Sequence, residues 1–391
     1  MINAHRPVGG LEFSPESNLI AVGTDSIRMW DIGSGSVACE ISGGSSAAPD
    51  VALRSDGLLA TAGGEDGTVR LWQSHTGEQI AVLPAHDGNI LAIAFSPRGD
   101  VLATAGSGDK TVRLWAIPGQ RLLTELPHHE PILDLAFSPD QSVLVTCGAE
   151  PTVRIWDLHE GKMRIPIAPH RRWVGAVAFS PDGRFLATGG DDGHVRVRDF
   201  PGLSICRELE AVPYGVRGIA YSPDGEFFVA VGPGVGPQVW TASGSGQSAG
   251  LPSRTGIVMA AAFSPDGKIL ATTDADSIVL WEAGTWAKMR TLSDHKGWAV
   301  RLSFSADGAL LASGSNDGMI RLWRTATGAL VATLIPLQHG GWATLLPDLS
   351  YKIAGDPKES FWWAAKLCRF NVGELDSYDS RVRRIPNSEL L

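Results

Sequence analysis

Residues 86–126 read HDGNILAIAFSPRGDVLATAGSGDKTVRLWAIPGQRLLTEL and contain one complete folding unit. Ile90–Phe95 is a short apolar run that stops at Ser96-Pro97-Arg98-Gly99, where proline and glycine turn the chain. Val101–Ala105 returns, Asp109-Lys110 turns again, Thr111–Trp115 goes out, and Leu122–Leu126 makes a fourth pass. β-branched and aromatic runs bounded by Gly, Pro, Asp and Ser are strands, so the unit is a four-stranded antiparallel meander. Phe95, which ends the first run, has equivalents at Phe13, Leu53, Phe137, Phe179, Tyr221, Phe263 and Phe304. The eight positions are separated by 40, 42, 42, 42, 42, 42 and 41 residues. Such a period means one supersecondary unit copied around a ring or along a stack.

The first turn recurs as Ser-Pro-Asp-Gly at 180–183, 222–225 and 264–267. Proline presets φ, aspartate tolerates the next position, and glycine supplies the positive φ that closes a short hairpin. A lone meander cannot bury both faces. Arranged radially, each unit packs on two neighbours and only short edges stay exposed. The composition agrees, with 46 Gly, 24 Pro and 13 Trp in 391 residues, 43% of them hydrophobic. A net charge of −9 argues against nucleic acid as the main partner. No apolar run has the length to span a bilayer and MINAHRPVGG carries no secretory signal, so a cytoplasmic protein with no membrane partner is expected. Cys39, Cys147, Cys206 and Cys368 show no CxxC spacing and read as free thiols in a reducing compartment.

The third strands end Met29-Trp30-Asp31, Leu71-Trp72, Leu114-Trp115, Ile155-Trp156-Asp157, Val239-Trp240, Leu280-Trp281 and Leu322-Trp323. With these endings, residues 5–335 resemble the WD-repeat β-propellers. The resemblance implies an all-β, eight-bladed propeller of four-stranded antiparallel blades over residues 1–336, followed by a degenerate C-terminal β segment. It also implies a structural tetrad in each blade: a His before the first strand, a Ser or Thr in the second, an Asp in the next turn, and the Trp. Two repeats match fully, with His86, Thr104, Asp109 and Trp115, and with His295, Ser313, Asp317 and Trp323. The fourth repeat has His128, Thr146 and Trp156, with Glu150 in place of Asp. The fifth keeps His170, Thr188 and Asp192 but carries Arg198 where Trp belongs, and the second has Thr61, Asp66 and Trp72 without the His. The first repeat (Val22 in the hydroxyl position) and the sixth (Gly232 to Pro237) depart furthest and should be the softest.

A recurring His, hydroxyl and Asp invites a hydrolase reading, but a site repeated with gaps and swaps fits buried polar groups that satisfy one another. No enzyme activity, cofactor or metal is therefore expected. Gly246-Gln247-Ser248-Ala249-Gly250 matches a nucleophile elbow but lies in a Gly/Ser-rich stretch, Thr241–Gly250, read as a flexible loop. Gly232-Pro233-Gly234-Val235-Gly236 lacks the Lys-Ser/Thr of a phosphate loop, and His128-His129-Glu130 is too few groups for zinc. Arg28, Arg70, Arg113, Arg154, Arg196 and Arg321 each sit two residues before the Trp position and read as the polar-facing set of the third strands.

By the same resemblance, the loops entering each first strand and those after each second strand converge on one face. That face would carry Asp87, His129, Glu130, Arg171, Arg172, Trp173, Tyr214, Arg217, Arg254, Lys296 and Trp298. Arg171-Arg172-Trp173 and Lys296-Gly297-Trp298 stand out, since Trp and Arg anchor interfaces. Each Trp is read equally as packed between blades. Residues 337–376 echo a ninth repeat and resemble the terminal module of large bacterial multidomain WD-repeat signalling proteins, through GWATLLPDLSYKIAGDP and FWWAAKLCRF. Trp342, Phe361, Trp362 and Trp363 should be buried there, and residues 377–391 should be a loose tail. Only four residues precede His5, so the ring is expected to close through the terminal module together with sequence upstream of Met1, rather than by strand exchange. The function expected is a non-catalytic scaffold that binds a protein or peptide on the loop-rich face. The alternatives are the sensor propeller of a bacterial signalling or defence protein, with an upstream effector or NTPase domain outside this chain, and a ligand- or glycan-binding propeller.

Overall fold

The structure is a computed structural model. It describes the chain apart from residues 1–7, 15–18, 24–26, 42–49, 64–65, 75, 168–169, 243–246, 338–340, 356–362, 366–367, 371, 373–375, 377–380, 388 and 390–391. The described residues are strands, turns and bends with no helix. Seven four-stranded antiparallel sheets follow one another, each made of four consecutive strands paired in sequence order. They begin at Leu11, Val51, Ile90, Ile132, Val174, Gly218 and Ala261. These are blades one to seven of a propeller.

The eighth repeat corrects the expectation of eight equal blades. Its four strands, Ala299–Phe304, Leu310–Ser315, Ile320–Arg324 and Leu330–Pro336, are extended by Trp342–Leu345 and Tyr351–Ala354 into one six-stranded sheet. Trp342 pairs with Pro336 and Leu345 with Thr333, so the hairpin covers an edge that the other sheets leave open. First strands touch in order around the ring, and Ala299–Phe304 returns to Leu11–Phe13.

A bulge recurs immediately before the Trp position. In all eight sheets the register between third and fourth strands shifts there, for example between Leu114 and Trp115 and between Leu322 and Trp323. A bulge bends the strand and re-aims the side chain beside it. The rings then pack on the preceding sheet. Trp115 lies among Leu58, Ala60, Val69 and Leu71 of blade two, and Trp156 among Ala103, Val112 and Leu114 of blade three. Trp240 and Trp323 repeat the arrangement on blades five and seven. Buried aromatic area of this kind dominates the energetics of a core.

The seam between the six-stranded sheet and blade one is closed by the same device and by the added hairpin. Trp30 packs with Ala312, Ile320, Leu322, Ala332 and Leu334, and Trp342 joins that cluster. Val8 N–H donates to Ser315 O at 3.2 Å and Arg301 Nε to Gly9 O at 2.7 Å. From the hairpin, Thr344 Oγ1 donates to Gly35 O at 2.6 Å, while the fully buried Lys352 donates to the carbonyls of Ser34 and Glu389. Arg28 of blade one pairs with Glu40 at 2.7 Å and donates to Leu337 O at 3.2 Å.

Two further expectations change. The described part of residues 377–391 is docked: Val382 and Ile385 are buried, and Tyr351 N–H donates to Arg383 O while Ile385 N–H donates to Tyr351 O. The stretch read as a flexible loop supplies a strand, since Gln247–Gly250 pairs with Gln238–Trp240 as the outer strand of blade six. Trp342 is buried as expected; Phe361, Trp362 and the side chains of Trp363 and Val22 lie outside the described residues.

Candidate interaction face

The tetrads form where the sequence pattern is complete. Trp115 Nε1 donates to Thr104 Oγ1 at 3.1 Å, Thr104 Oγ1 lies 2.8 Å from His86 Nε2, and His86 Nδ1 lies 3.0 Å from Asp109 Oδ2. In the last repeat Trp323 Nε1 donates to Ser313 Oγ at 2.9 Å, with His295 Nε2 2.7 Å from Ser313 Oγ and His295 Nδ1 3.3 Å from Asp317. A relay in which the indole N–H donates to the hydroxyl, the hydroxyl to the imidazole and the imidazole to the accepting carboxylate satisfies these buried groups. The imidazoles are closed to solvent, and burial lowers the pKa of both histidines, against the pull of the aspartates.

Incomplete repeats show what substitutes. In blade four Glu150 pairs with Arg154, and His128 Nδ1 turns instead to Leu126 O at 3.0 Å. Burial, helped by the Arg154 charge, pushes His128 down to about 4. In blade five His170 still meets Thr188 at 3.0 Å and Asp192 at 2.9 Å, but Arg198 donates to Leu203 O at 2.8 Å and leaves Thr188 without an indole partner. Blade two keeps Trp72 Nε1 on Thr61 Oγ1 at 3.0 Å and pairs Asp66 with Arg70. In the first repeat, where Val22 takes the hydroxyl position, Trp30 Nε1 has no hydrogen-bond partner among the described residues.

The tetrad aspartates of the fifth and last repeats also hold the loop above them. Asp192 accepts Arg171 N–H at 3.1 Å, and Asp317 accepts Lys296 N–H at 2.9 Å. Asp274 of blade seven accepts Arg254 N–H at 2.8 Å, although that repeat has no histidine. Burial raises these carboxyl pKa values, but the hydrogen bonds overcome it. His170 and the Arg171 N–H carry Asp192 well below the usual carboxylate range; His295, Arg321 and the Lys296 N–H do the same for Asp317. The same side chains that fix the blade thus aim the residues of the loop-rich face. The third-strand arginines belong to this network, which sequence spacing alone did not reveal. Arg196 reaches Asp192 at 3.0 Å and Glu208 at 2.5 Å, and Arg321 reaches Asp317 at 3.1 Å and Asp294 at 2.6 Å.

The candidate residues fall into separate groups. His129 O accepts from Lys110 Nζ at 2.8 Å and Glu130 pairs with the same lysine at 3.4 Å, between blades three and four. Arg254 pairs with Asp276 at 2.5 Å on blade seven. Lys296 and Trp298 belong to the loop entering the six-stranded sheet, where Trp298 O accepts Asn316 N–H. Among the described residues, only at blades five and six are several brought together. Asp191 bridges Arg172 at 3.6 Å and Arg217 at 3.3 Å. A cavity of about 740 Å³ beside it is lined by Arg171, Arg172, Asp191, Asp192, Arg196 and Pro213, among others. Trp173 is 52% exposed, Tyr214 70% and Trp298 48%, so neither tryptophan is packed away between blades. Among the described residues no group of three or more His, Cys, Asp or Glu has the arrangement to hold a metal ion.

Comparison with known proteins agrees with this architecture. The WD domain, G-beta repeat model matches residues 38–73, 77–116, 120–157, 162–199, 248–282 and 286–324. Human apoptotic protease-activating factor 1 is 31% identical over 102 residues, which are 24% of this chain and 8% of that protein. Pre-mRNA-splicing factor prp46 of Emericella nidulans is 43% identical over 54 residues, 14% of this chain and 12% of its own. The chain thus spans a small fraction of these relatives. The solved structure of the computationally designed Ika8 protein superimposes with a TM-score of 0.73 at 24% identity, covering 82% of this chain and 96% of that one. It shows the fold alone. With six repeats matched over more than half its length, the chain belongs to the WD40-repeat family.

Proposed function

We propose that the protein is a non-catalytic interaction scaffold, an eight-bladed propeller if the six-stranded sheet is counted as a blade, and that it binds a protein or peptide on the loop-rich face of blades five and six. The observation that carries the reading is Arg171-Arg172-Trp173. One tetrad aspartate pins this loop, which holds its arginines and half-exposed tryptophan outward at the mouth of a cavity. Exposed Trp, Tyr and Arg on a rigid support are the residues that dominate interface energetics. The partners are proteins, with no role for nucleic acid or a membrane, and the compartment is cytoplasmic, in keeping with the free thiols of Cys39, Cys147 and Cys206. A pull-down comparing wild type with the R171E/R172E/W173A variant tests the reading. Loss of a captured protein is expected; unchanged capture removes this face from the function.

A second reading is a sensor propeller within a larger signalling protein, as part of a bacterial multidomain architecture. The match to a segment covering 8% of human apoptotic protease-activating factor 1 is what suggests a larger protein; the bacterial setting rests on the resemblance of residues 337–376 alone. Sequencing across the reading frame upstream of Met1 discriminates, because an effector or NTPase segment there supports it and its absence counts against it.

A further inference from the structure

We infer that the partner segment at blades five and six is acidic, a peptide whose Asp or Glu side chains enter the Arg171–Arg172 cavity; this rests on the interaction face proposed above. The cavity holds both signs of charge, but they are not equally available. Asp192 is nearly buried and already accepts from the Arg171 N–H and the Arg196 guanidinium, and it faces His170. Asp191 is shared between Arg172 and Arg217, and Glu208, the half-exposed acid of the lining, is held by Arg196 at 2.5 Å. The cations lie further out. Arg172 is 71% exposed with one long pairing at 3.6 Å, against 20% for its partner Asp191. Among the described residues, no carboxylate or carbonyl pairs with the exposed Arg171 guanidinium.

Each acid of the lining is therefore already paired with an arginine, and the Arg171 and Arg172 guanidinium groups are what an arriving partner meets. This is a local reversal in a chain of net charge −9. A carboxylate fits a guanidinium fork through two parallel hydrogen bonds, which makes an acidic side chain the complementary group. Trp173 and Tyr214, at 52% and 70% exposure, follow the lining residues Arg172 and Pro213 in the chain and offer apolar faces beside them. An acidic segment carrying an occasional aromatic residue matches both chemistries.

The test uses the full chain and two fluorescein-labelled peptides, EEFEEFEE and KKFKKFKK, followed by fluorescence anisotropy at low and high salt. Binding of the acidic peptide that weakens with salt is expected, with at least a tenfold loss in R171E/R172E and a smaller loss in Y214A. The R184E variant, at an exposed arginine in the turn between the first and second strands of blade five and outside the candidate face, leaves it unchanged. Equal binding of the basic peptide, no binding of either, or full binding by R171E/R172E overturns the inference. Sedimentation of the chain alone covers a different occupant: a dimer abolished by R171E/R172E makes it a second copy and overturns the acidic peptide. The outcomes stay separable from the scaffold reading. A protein captured through Arg171 without acidic-peptide binding refutes the chemistry and leaves the face intact.

Discussion

At the scale of single residues, one hydroxyl decides whether a tetrad is stiff. Thr104 serves Trp115 and His86, whereas Thr188 serves His170 but no indole, because Arg198 stands in the Trp position. Thr104→Val should therefore cost about 1–3 kcal/mol by stranding two buried groups. Thr188→Val should cost less, and urea unfolding of both variants checks the order. Carboxylates on or immediately before the first strands behave differently. Glu12 accepts Leu53 N–H, Asp50 accepts Ile93 N–H and Asp134 accepts Val177 N–H, each reaching the first strand of the next blade. Desolvation raises them to about 8, 6 and 7, respectively. The folded state thus keeps protons that the unfolded chain releases, and its stability falls as pH rises through these values. Buried histidines act oppositely below 6.5, since their lowered pKa values remove stability as pH falls. The carboxylate effect should consequently be read between pH 6.5 and 8. There the melting temperature should decline in wild type and decline less in Asp134→Asn, whose amide oxygen still accepts the Val177 N–H. A parallel decline in both removes Asp134 as a cause.

At the scale of elements, the turn between first and second strands was fully legible. Gly183, Gly225 and Gly267 have φ of 72°, 73° and 71°, and Ser264 Oγ donates to Asp266 at 2.6 Å while accepting Ile269 N–H. Gly267→Ala should cost about 1–2 kcal/mol, since a Cβ opposes the left-handed conformation and would lie 3.2 Å from Asp224. A calorimetric melting temperature equal to wild type would refute the argument. The bulge before each Trp was not legible, because a one-residue register shift leaves the alternation of apolar residues nearly unchanged. The outer strand of blade six was missed for a related reason. Gln247-Ser248-Ala249-Gly250 has no apolar pattern of its own, and it becomes a strand because Gln238–Trp240 offers it an edge.

At the scale of the whole molecule, the ring's seam is bridged by a C-terminal hairpin that follows the eighth repeat. Trp342, Thr344 and Lys352 tie the last sheet to blade one. Trp342→Ala should cost about 3–5 kcal/mol by the loss of a large buried ring. The same variant should speed limited proteolysis within blade one, where the seam opens; cleavage confined to the C-terminal residues would show that the hairpin is an appendage. For the site, the sequence supplied its residue types and their loops. It spread them over several blades, and only folding brought Arg171 and Arg172 into one cavity lining and set Arg172 and Arg217 on the same Asp191.

The sequence by itself determined the repeat, its strands, its turns and its tetrads, because those depend on residues close along the chain and on a period counted directly. Tertiary structure alone decided how the first and last sheets join, which aspartate holds which loop, and which arginines keep a free guanidinium. Those outcomes depend on partners tens to hundreds of residues apart, as when Arg28 reaches Leu337 and Thr344 reaches Gly35.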